Sequence, residues 1–251
     1  MEPTKSTSTE LPASALKLGP LTGLMLSLIA GAVIFVVIQT AHPVFQVPEE
    51  FHAAMGAAPA VWEANRLASN RVDRYHAMLY VGGLGLLIGL VLGFREGTLR
   101  RSWLPPIFAA LLGGGGGALG GFLGCLIYEH VHVGVGQAEL SHTITAQLLV
   151  AAPLGVSIGL GLGLATRTLG GAIMAALGGA AAGLLAAVLY PVAVSILLPE
   201  ASTDALLPHE RGSRLVWLAL LSGLIGLFIP IAARRRRRHM SQAKPPDKTA
   251  A

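Results

Sequence analysis

Charged side chains are scarce in this chain. Asp, Glu, Lys and Arg make up 12% of its 251 residues, while hydrophobic residues make up 53%. Soluble domains carry about a quarter charged residues, so this composition excludes an ordinary soluble globular protein. Cysteine is scarcer still, because Cys125 is the only one in the sequence. Without a second cysteine there is no intrachain disulfide, and redox chemistry is not expected.

The sequence also lacks motifs of catalysis and nucleotide binding. The glycine run Gly113 to Gly117 follows no strand pattern and precedes no Gly-Lys-Ser/Thr, which excludes a phosphate-binding loop. The sequence also contains no HExxH zinc-protease motif. Its long apolar stretches hold none of the ionisable side chains that transporters usually keep at membrane depth. We therefore expect no enzyme, no catalytic residue, no cofactor and no nucleic-acid partner.

What the sequence does contain is six stretches without any Asp, Glu, Lys or Arg. Each meets or approaches the roughly 20 apolar residues that cross a bilayer. Helices are expected, because isolated strands would leave backbone groups unsatisfied in lipid. The sequence therefore predicts an all-α membrane protein, a six-transmembrane-helix bundle over residues 19–233. The predicted spans are 19–41, 77–94, 103–128, 143–166, 168–199 and 215–233.

The segments outside the spans are polar. We predict a disordered N-terminus over 1–18, an outer loop over 42–76 and a basic, disordered tail over 234–251. Within the outer loop, Asn70 and Asp73 have the spacing of a helix cap. This spacing predicts that the second helix begins at Asn70.

Lysine and arginine indicate the orientation in the membrane. With the run Arg234 to Arg238 in the cytoplasm, alternation of the spans puts 13 of the 18 Lys and Arg on that side. Positive residues concentrate in cytoplasmic loops, so both termini are predicted to be cytoplasmic. The residues on this side are Lys5, Lys17, Arg95, Arg100, Arg101, Arg167, Arg234–Arg238, Lys244 and Lys248.

Glycine is abundant, with 32 residues, and many lie four apart within a span, a spacing that lets helices approach closely in lipid. The ladder of the second span recurs 70 residues later in the fourth, and an offset of 62 pairs Gly117 with Gly179 in the odd spans. We interpret these patterns as tandem two-helix hairpin repeats with GxxxG-type packing; the alternative is coincidence in a glycine-rich apolar sequence. A weaker third copy includes Ser222 and Gly226. The predicted helix-packing residues are Gly85, Gly89, Gly93, Gly155, Gly159, Gly163, Gly117, Gly121, Gly179 and Gly183.

Histidine is concentrated on the predicted outer side. Glu129, His130, His132 and His142 supply nitrogen and oxygen ligands that suit zinc or another divalent metal. The HxH spacing is unspecific, however, and no second ligand pair has a recognisable spacing. We therefore assign no metal site and keep these four residues as candidates, beside the alternative that they are solvated loop side chains.

Three motifs resemble a family of uncharacterised, Gly/Ala-rich, multi-pass bacterial membrane proteins. The motifs are YEHVHVG at 128–134, IGLGLGLA at 158–165 and RGSRL at 211–215, and the similarity spans about residues 70–233. The resemblance implies a multi-pass protein of the bacterial cytoplasmic membrane, but it brings no activity, ligand or site. A likeness to accessory subunits of cobalt transporters rests on helix number and outer loops and shares no motif.

A hypothesis about function follows from the charge-free spans, the short loops and the packing glycines. We expect a structural protein, or one accessory to a membrane partner, without catalysis of its own. The alternative is a small-solute or divalent-metal transport or permeation component, favoured by the repeat and the outer histidines. The expected partners are the lipid bilayer and either a second copy of the chain or another membrane protein.

Overall fold

The computed structural model describes residues 19–41, 43–52, 56, 58–100, 102–132, 140–165, 168–201, 206–208 and 210–242. These residues form six helices that are each long and apolar enough to cross a membrane. The predicted all-α, six-helix bundle is therefore confirmed. The helices are α1 (Gly19–Ala41), α2 (Pro59–Arg100), α3 (Leu104–His132), α4 (Leu140–Ala165), α5 (Leu169–Leu197) and α6 (Arg211–Gln242), and a short 3-10 turn covers Glu49–Phe51.

Helix α2 is much longer than its apolar stretch. It begins at Pro59, a residue that suits the first helical position, and it runs for 42 residues. The prediction that this helix begins at Asn70 is wrong, because residues 59–76 of the predicted outer loop are already helical. Neither Pro nor Gly interrupts 60–76, and an ion pair of 2.7 Å joins Arg66 to Glu63 one turn away. The polar part of α2 therefore continues the helix beyond membrane depth.

Helix α6 also continues beyond its apolar span. Its backbone is helical to Gln242, so it includes residues 234–242 of the tail for which disorder is predicted. Arginine is a good helix former, and no proline follows Pro230 until Pro245. Residues 1–18 and 243–251, for which disorder is also predicted, lie outside the described residues.

The six helices close into a ring. Each helix packs against its neighbours in sequence, and α1 packs against α6. Helices α2, α4 and α6 also touch one another, which places them on the inside. The buried share of their spans is 56%, 50% and 50%, against 33%, 39% and 44% for α1, α3 and α5. The odd-numbered helices therefore cover the outside of an inner triad.

Aliphatic side chains fill the space between the inner helices. Each inner helix buries three of them at intervals of four residues, a spacing that keeps them on one helix face. All nine belong to one buried cluster. The centre of the ring is therefore a packed apolar core. The nine side chains are Leu84, Ile88, Leu92, Leu154, Ile158, Leu162, Leu221, Ile225 and Ile229.

Glycine sets the contacts of α2 with α3 and of α4 with α5. A methyl group built on Gly117 would lie 2.5 Å from the Val81 oxygen, and one built on Gly183 would lie 2.5 Å from the Ala151 oxygen. These positions leave no room for a side chain, so the two backbones touch directly. The remaining packing glycines meet neighbouring backbone in the same way: Gly85 meets Gly113, Gly89 meets Ala109, Gly93 meets Pro106, Gly121 meets Ala77, Gly155 meets Gly179, Gly159 meets Ala175 and Gly163 meets Ala172.

The hairpin of α2 with α3 and the hairpin of α4 with α5 make matching contacts. The sequence offset between α3 and α5 differs from the predicted one. Gly85 lies against Gly113, and Gly155 lies against Gly179. Contacts in α2 and α4 therefore match at an offset of 70, and those in α3 and α5 match at 66. The predicted offset of 62 for the odd helices is wrong by one helical turn. Glycine repeats every four residues over Gly113, Gly117 and Gly121 of α3, so an alignment shifted by one turn also pairs glycines, and the sequence does not show which register is adopted.

A third contact between small residues joins the first helix, α1, to the last helix, α6. A methyl group built on Gly226 of α6 would lie 2.6 Å from the Gly23 oxygen of α1. One built on Gly31 would lie 2.6 Å from Ser222 Oγ. The last helix therefore packs on the first through small side chains, and this contact closes the ring.

Candidate functional site

A cavity of about 430 Å³ lies at the end of the bundle where α1 ends and α6 begins. We call it the end cavity. Its walls come from α1, the 43–52 segment, α2, the 206–208 segment and α6. Ile38, Val72 and Leu207 supply apolar surface, and five aromatic or ionisable side chains of α2 and α6 line it as well. These five are Asp73, His76, Tyr80, Arg214 and Trp217.

His76 holds the segment that follows α1 against α2. The Phe45 backbone N–H donates to His76 Nε2 at 3.0 Å, and the histidine is only 4% exposed. Because Nε2 accepts this hydrogen bond, the ring is neutral with its proton on Nδ1. The His76 ring stacks on Tyr80 with centroids 5.6 Å apart and contacts Phe45 at 5.3 Å. The histidine thus sits inside an aromatic wall of the end cavity.

Two buried hydrogen bonds connect Trp217 to Gln147 and Gln147 to Leu206. The Trp217 indole N–H donates to Gln147 Oε1 at 2.7 Å, and Gln147 Nε2 donates to the Leu206 oxygen at 3.1 Å. Gln147 is 2% exposed and Trp217 is 3% exposed, so both hydrogen bonds are shielded from water. This link joins α4, α6 and the 206–208 segment and fixes the indole that lines the cavity.

Two opposite charges line the end cavity. Arg214 Nε donates to the Pro208 oxygen at 3.0 Å, which holds its side chain beside the 206–208 segment. Asp73 is exposed on α2 and also lines the cavity. The lining of the cavity therefore includes a guanidinium and a carboxylate.

Of the four candidate metal ligands, only His130 has a described side chain. Helix α3 extends through His132, so Glu129, His130 and His132 lie in its last turn rather than in a loop. His130 Nδ1 lies 3.1 Å from the Leu126 oxygen of its own helix. The side chains of Glu129, His132 and His142 lie outside the described residues, and within the described ones no group of three His, Cys, Asp or Glu is placed to hold a metal ion.

Sequence reasoning did not single out the residues of the end cavity. Asp73 entered only as part of a predicted helix cap, and neither Arg214 nor His76 was among the candidate site residues. One signal does point to the cavity: His76 directly precedes the apolar stretch 77–94. A titratable residue at that boundary is placed either to face water or to be buried against a partner.

The end cavity offers the means to bind a small molecule. It combines aromatic and aliphatic walls with a guanidinium and a carboxylate, which matches the usual make-up of a ligand pocket, mostly apolar with a few placed polar groups. Comparison with protein-family models, with curated proteins and with solved structures finds no match for this chain.

Proposed function

We propose that this chain is a structural or accessory protein of the membrane, acting beside a membrane partner without catalysis of its own. The observation that carries the proposal is the filled centre of the ring, where the nine aliphatic side chains pack between the inner helices. A permeation path needs polar groups or water along its length. Backbone contacts at the glycines also resist sliding of one helix past another. A rigid, filled bundle suits support of a partner better than conduction.

The location and duplication of the bundle belong to the same proposal. We propose that the protein lies in the bacterial cytoplasmic membrane with both termini in the cytoplasm, because 13 of 18 Lys and Arg then lie inside. The end cavity then faces outward. The matching contacts of α2–α3 and α4–α5 support duplication of one hairpin, and α6 with α1 supplies a third pair of the same kind. Duplication does not by itself select a function.

Photo-crosslinking in cells tests the accessory role. A photoreactive residue at Ile29, Leu119 or Leu177 would face lipid, since these side chains are 59%, 56% and 58% exposed. We expect at least one of these positions to give a discrete adduct with a second protein or with another copy of the chain. Ile88, which is fully buried, is the matched control and should give none. Adducts with lipid alone at every lipid-facing position of the six helices would contradict the accessory role.

A small-solute permeation component is the second candidate, and the end cavity favours it. The cavity opens a solute-sized space beside three transmembrane helices. Conduction requires the inner aliphatic core to part in a second conformation. Uptake of labelled amino acids, organic anions or divalent ions into liposomes with the purified protein tests this candidate. Uptake that Ile88→Ala alters would support it, whereas flux equal to that of empty liposomes for every solute would contradict it.

A further inference from the structure

We infer that His76 is a pH-dependent switch, which releases residues 43–52 from the bundle and opens the end cavity when its ring takes up a proton. We call residues 43–52 the cavity flap. The inference goes beyond the proposed function, because either an accessory protein or a permeation component can carry such a switch. It rests on the hydrogen bond that His76 accepts, on the exposure of the cavity flap and on the place of the flap in the cavity wall.

The hydrogen bond between Phe45 and His76 exists only while His76 Nε2 carries no proton. The Phe45 backbone N–H donates to His76 Nε2 at 3.0 Å, and a backbone amide has no other way to bond, so Nε2 must offer its lone pair. A proton on Nε2 occupies that lone pair and turns both ring nitrogens into donors. Two donors then face each other, and an unpaired hydrogen-bonding group costs free energy. Protonation of His76 therefore favours separation of Phe45 from the ring.

The cavity flap has few other attachments to the bundle. Among the described residues, the bond from Phe45 to His76 is the only hydrogen bond that joins the flap to a helix. The Phe45 ring also contacts His76 and Tyr75. Every residue of the flap except Val47 and Phe51 is exposed. A segment with so little buried surface opens at a low cost in free energy, so the loss of one hydrogen bond shifts the flap toward release.

Release of the cavity flap removes one wall of the end cavity. The flap residues that line the cavity are Pro43, Phe45, Gln46, Val47 and His52. The other walls belong to α1, α2, α6 and the 206–208 segment, and these have contacts of their own, such as the hydrogen bond from Trp217 to Gln147. The flap can therefore leave while the other walls stay in place. The space of about 430 Å³ then opens to water on the side of the flap.

The neighbouring ionisable groups set the pH of the switch and not its direction. Asp73 and Tyr80 of α2, Arg214 of α6 and His52 of the flap line the same cavity as His76, and the lining residues of α1 and of the 206–208 segment are not titratable. Tyr75 touches the Phe45 ring, and Glu49 and Glu50 lie on the flap itself. A nearby carboxylate favours a charged imidazole and a guanidinium opposes it. Whatever the balance, the flap is held at high pH and released as the pH falls, because only the neutral ring accepts the Phe45 N–H.

His52 supplies an internal comparison, because its hydrogen bond survives protonation. His52 Nε2 lies 3.1 Å from the Val47 oxygen. A carbonyl oxygen only accepts, so this bond requires a proton on Nε2. A second proton on Nδ1 leaves the bond intact. The two histidines of the cavity therefore differ in their expected response to acid, and only His76 acts as the switch.

The mobility of a nitroxide spin label tests the inference, because the label does not titrate over the range of about pH 5 to pH 8 in which histidine usually changes charge. The label is attached to Val44→Cys in purified, full-length protein with Cys125→Ala; Val44 is 46% exposed and does not line the cavity. We expect a restricted spectrum at high pH and a growing mobile component as the pH falls. The ratio of mobile to restricted label should rise by up to about tenfold per pH unit, the slope of one proton. The same label on Leu67→Cys, at an exposed position of α2, should keep one spectrum throughout.

Two histidine substitutions sharpen the test. His76→Gln keeps a hydrogen-bond acceptor but takes up no proton, so the mobile fraction at Val44→Cys should be the same at every pH. His52→Gln is the matched control and should keep the pH response of the parent. A parent spectrum that does not change with pH overturns the inference without any variant. An equal change at Leu67→Cys, a pH response that persists in His76→Gln, or its loss in His52→Gln would each overturn it as well.

Discussion

Two alanine substitutions in α3 separate the packing role of glycine from its effect on helix propensity. A methyl group built on Gly113 would lie 2.6 Å from the Gly85 oxygen and 2.8 Å from Ile158 Cγ1. One built on Gly115, two residues away, has no atom within 4 Å. Ordinary contact begins at 3.4 Å, so Gly113→Ala requires α2 and α3 to separate locally by about 0.8 Å. Gly115→Ala requires no movement.

The expected loss of stability is worked from the comparison of Gly113→Ala with Gly115→Ala. Both gain helix propensity, about 1 kcal/mol for Gly to Ala, so this gain cancels in the comparison. Overpacking a well-packed interior costs about 1–3 kcal/mol. We expect Gly115→Ala to be at least as stable as the parent and Gly113→Ala to be about 1–3 kcal/mol less stable than Gly115→Ala. Gly114→Ala should fall between them, because its methyl group would lie 3.2 Å from Leu86 Cβ.

The assay is reversible unfolding of the purified protein in mixed detergent and SDS, followed by circular dichroism, with thermal melts as a second readout. At roughly 2–4 °C per kcal/mol for a chain of this size, the Gly113→Ala and Gly115→Ala melts should differ by several degrees. Equal stabilities of the two variants would refute the packing argument, because the neighbouring helix would then be too distant to sense the methyl group. A reversed order would refute it as well.

Three further outcomes are expected. Gln147→Leu and Trp217→Phe, made singly and together, should show a coupling free energy of about 0.6 kcal/mol and at most about 1.7 kcal/mol, the average and the maximum for interhelical hydrogen bonds in a membrane protein, and additive losses would contradict a shared hydrogen bond. Gly159→Leu should lower the melting temperature in detergent, because the new side chain meets the α5 backbone, and an unchanged melt would mean that this face meets lipid or a pore. Single cysteines at Ser102 and Gln137, in a cysteine-free background, should label from opposite sides of the membrane, and same-side labelling would contradict the six-span topology.

The membrane-spanning helices were predictable because every backbone polar group in lipid needs a hydrogen-bond partner within the protein. A run of about 20 residues without charge has one stable form in a bilayer, so the spans could be read from the sequence. The same rule says nothing about helix outside the membrane. Residues 59–76 are polar, yet they continue α2 because no Pro or Gly after Pro59 stops them. The helix ends were therefore less predictable than the spans.

Helix pairing was predictable only in part. A spacing of four identifies the glycine face of each helix, as with Gly85 and Gly89, but not the partner or the register. In α3, two registers of the helix contact that differ by a single turn fit the glycine spacing equally well. The contact of Gly23 with Gly226 joins helices more than 200 residues apart in sequence, and no local pattern encodes it. The partner and the register of each helix therefore depend on contacts among all six helices.

The end cavity was the least predictable feature, because its lining comes from distant segments. Phe45, His76 and Arg214 belong to a loop and to two different helices. Each has an ordinary local explanation: an interfacial aromatic ring, a wet histidine and an outer-loop charge. Their common role exists only after the ring has closed and α1, α2 and α6 have met at one end.

The end cavity lies beside the contact between α1 and α2, which we call the α1–α2 seam. Elsewhere in the ring, glycines bring backbones into direct contact, as Gly117 does with Val81. Across the α1–α2 seam, the described glycines meet side chains instead: Gly83 faces Ile34 Cδ1 at 3.3 Å. Side chains keep the helices further apart than glycines do, and they change rotamer at lower cost than a backbone can move. The two helices that meet through side chains here are also those that supply Ile38, from α1, and Asp73 to Tyr80, from α2, to the end cavity. The end cavity therefore adjoins the helix contact at which the described glycines meet no neighbouring backbone.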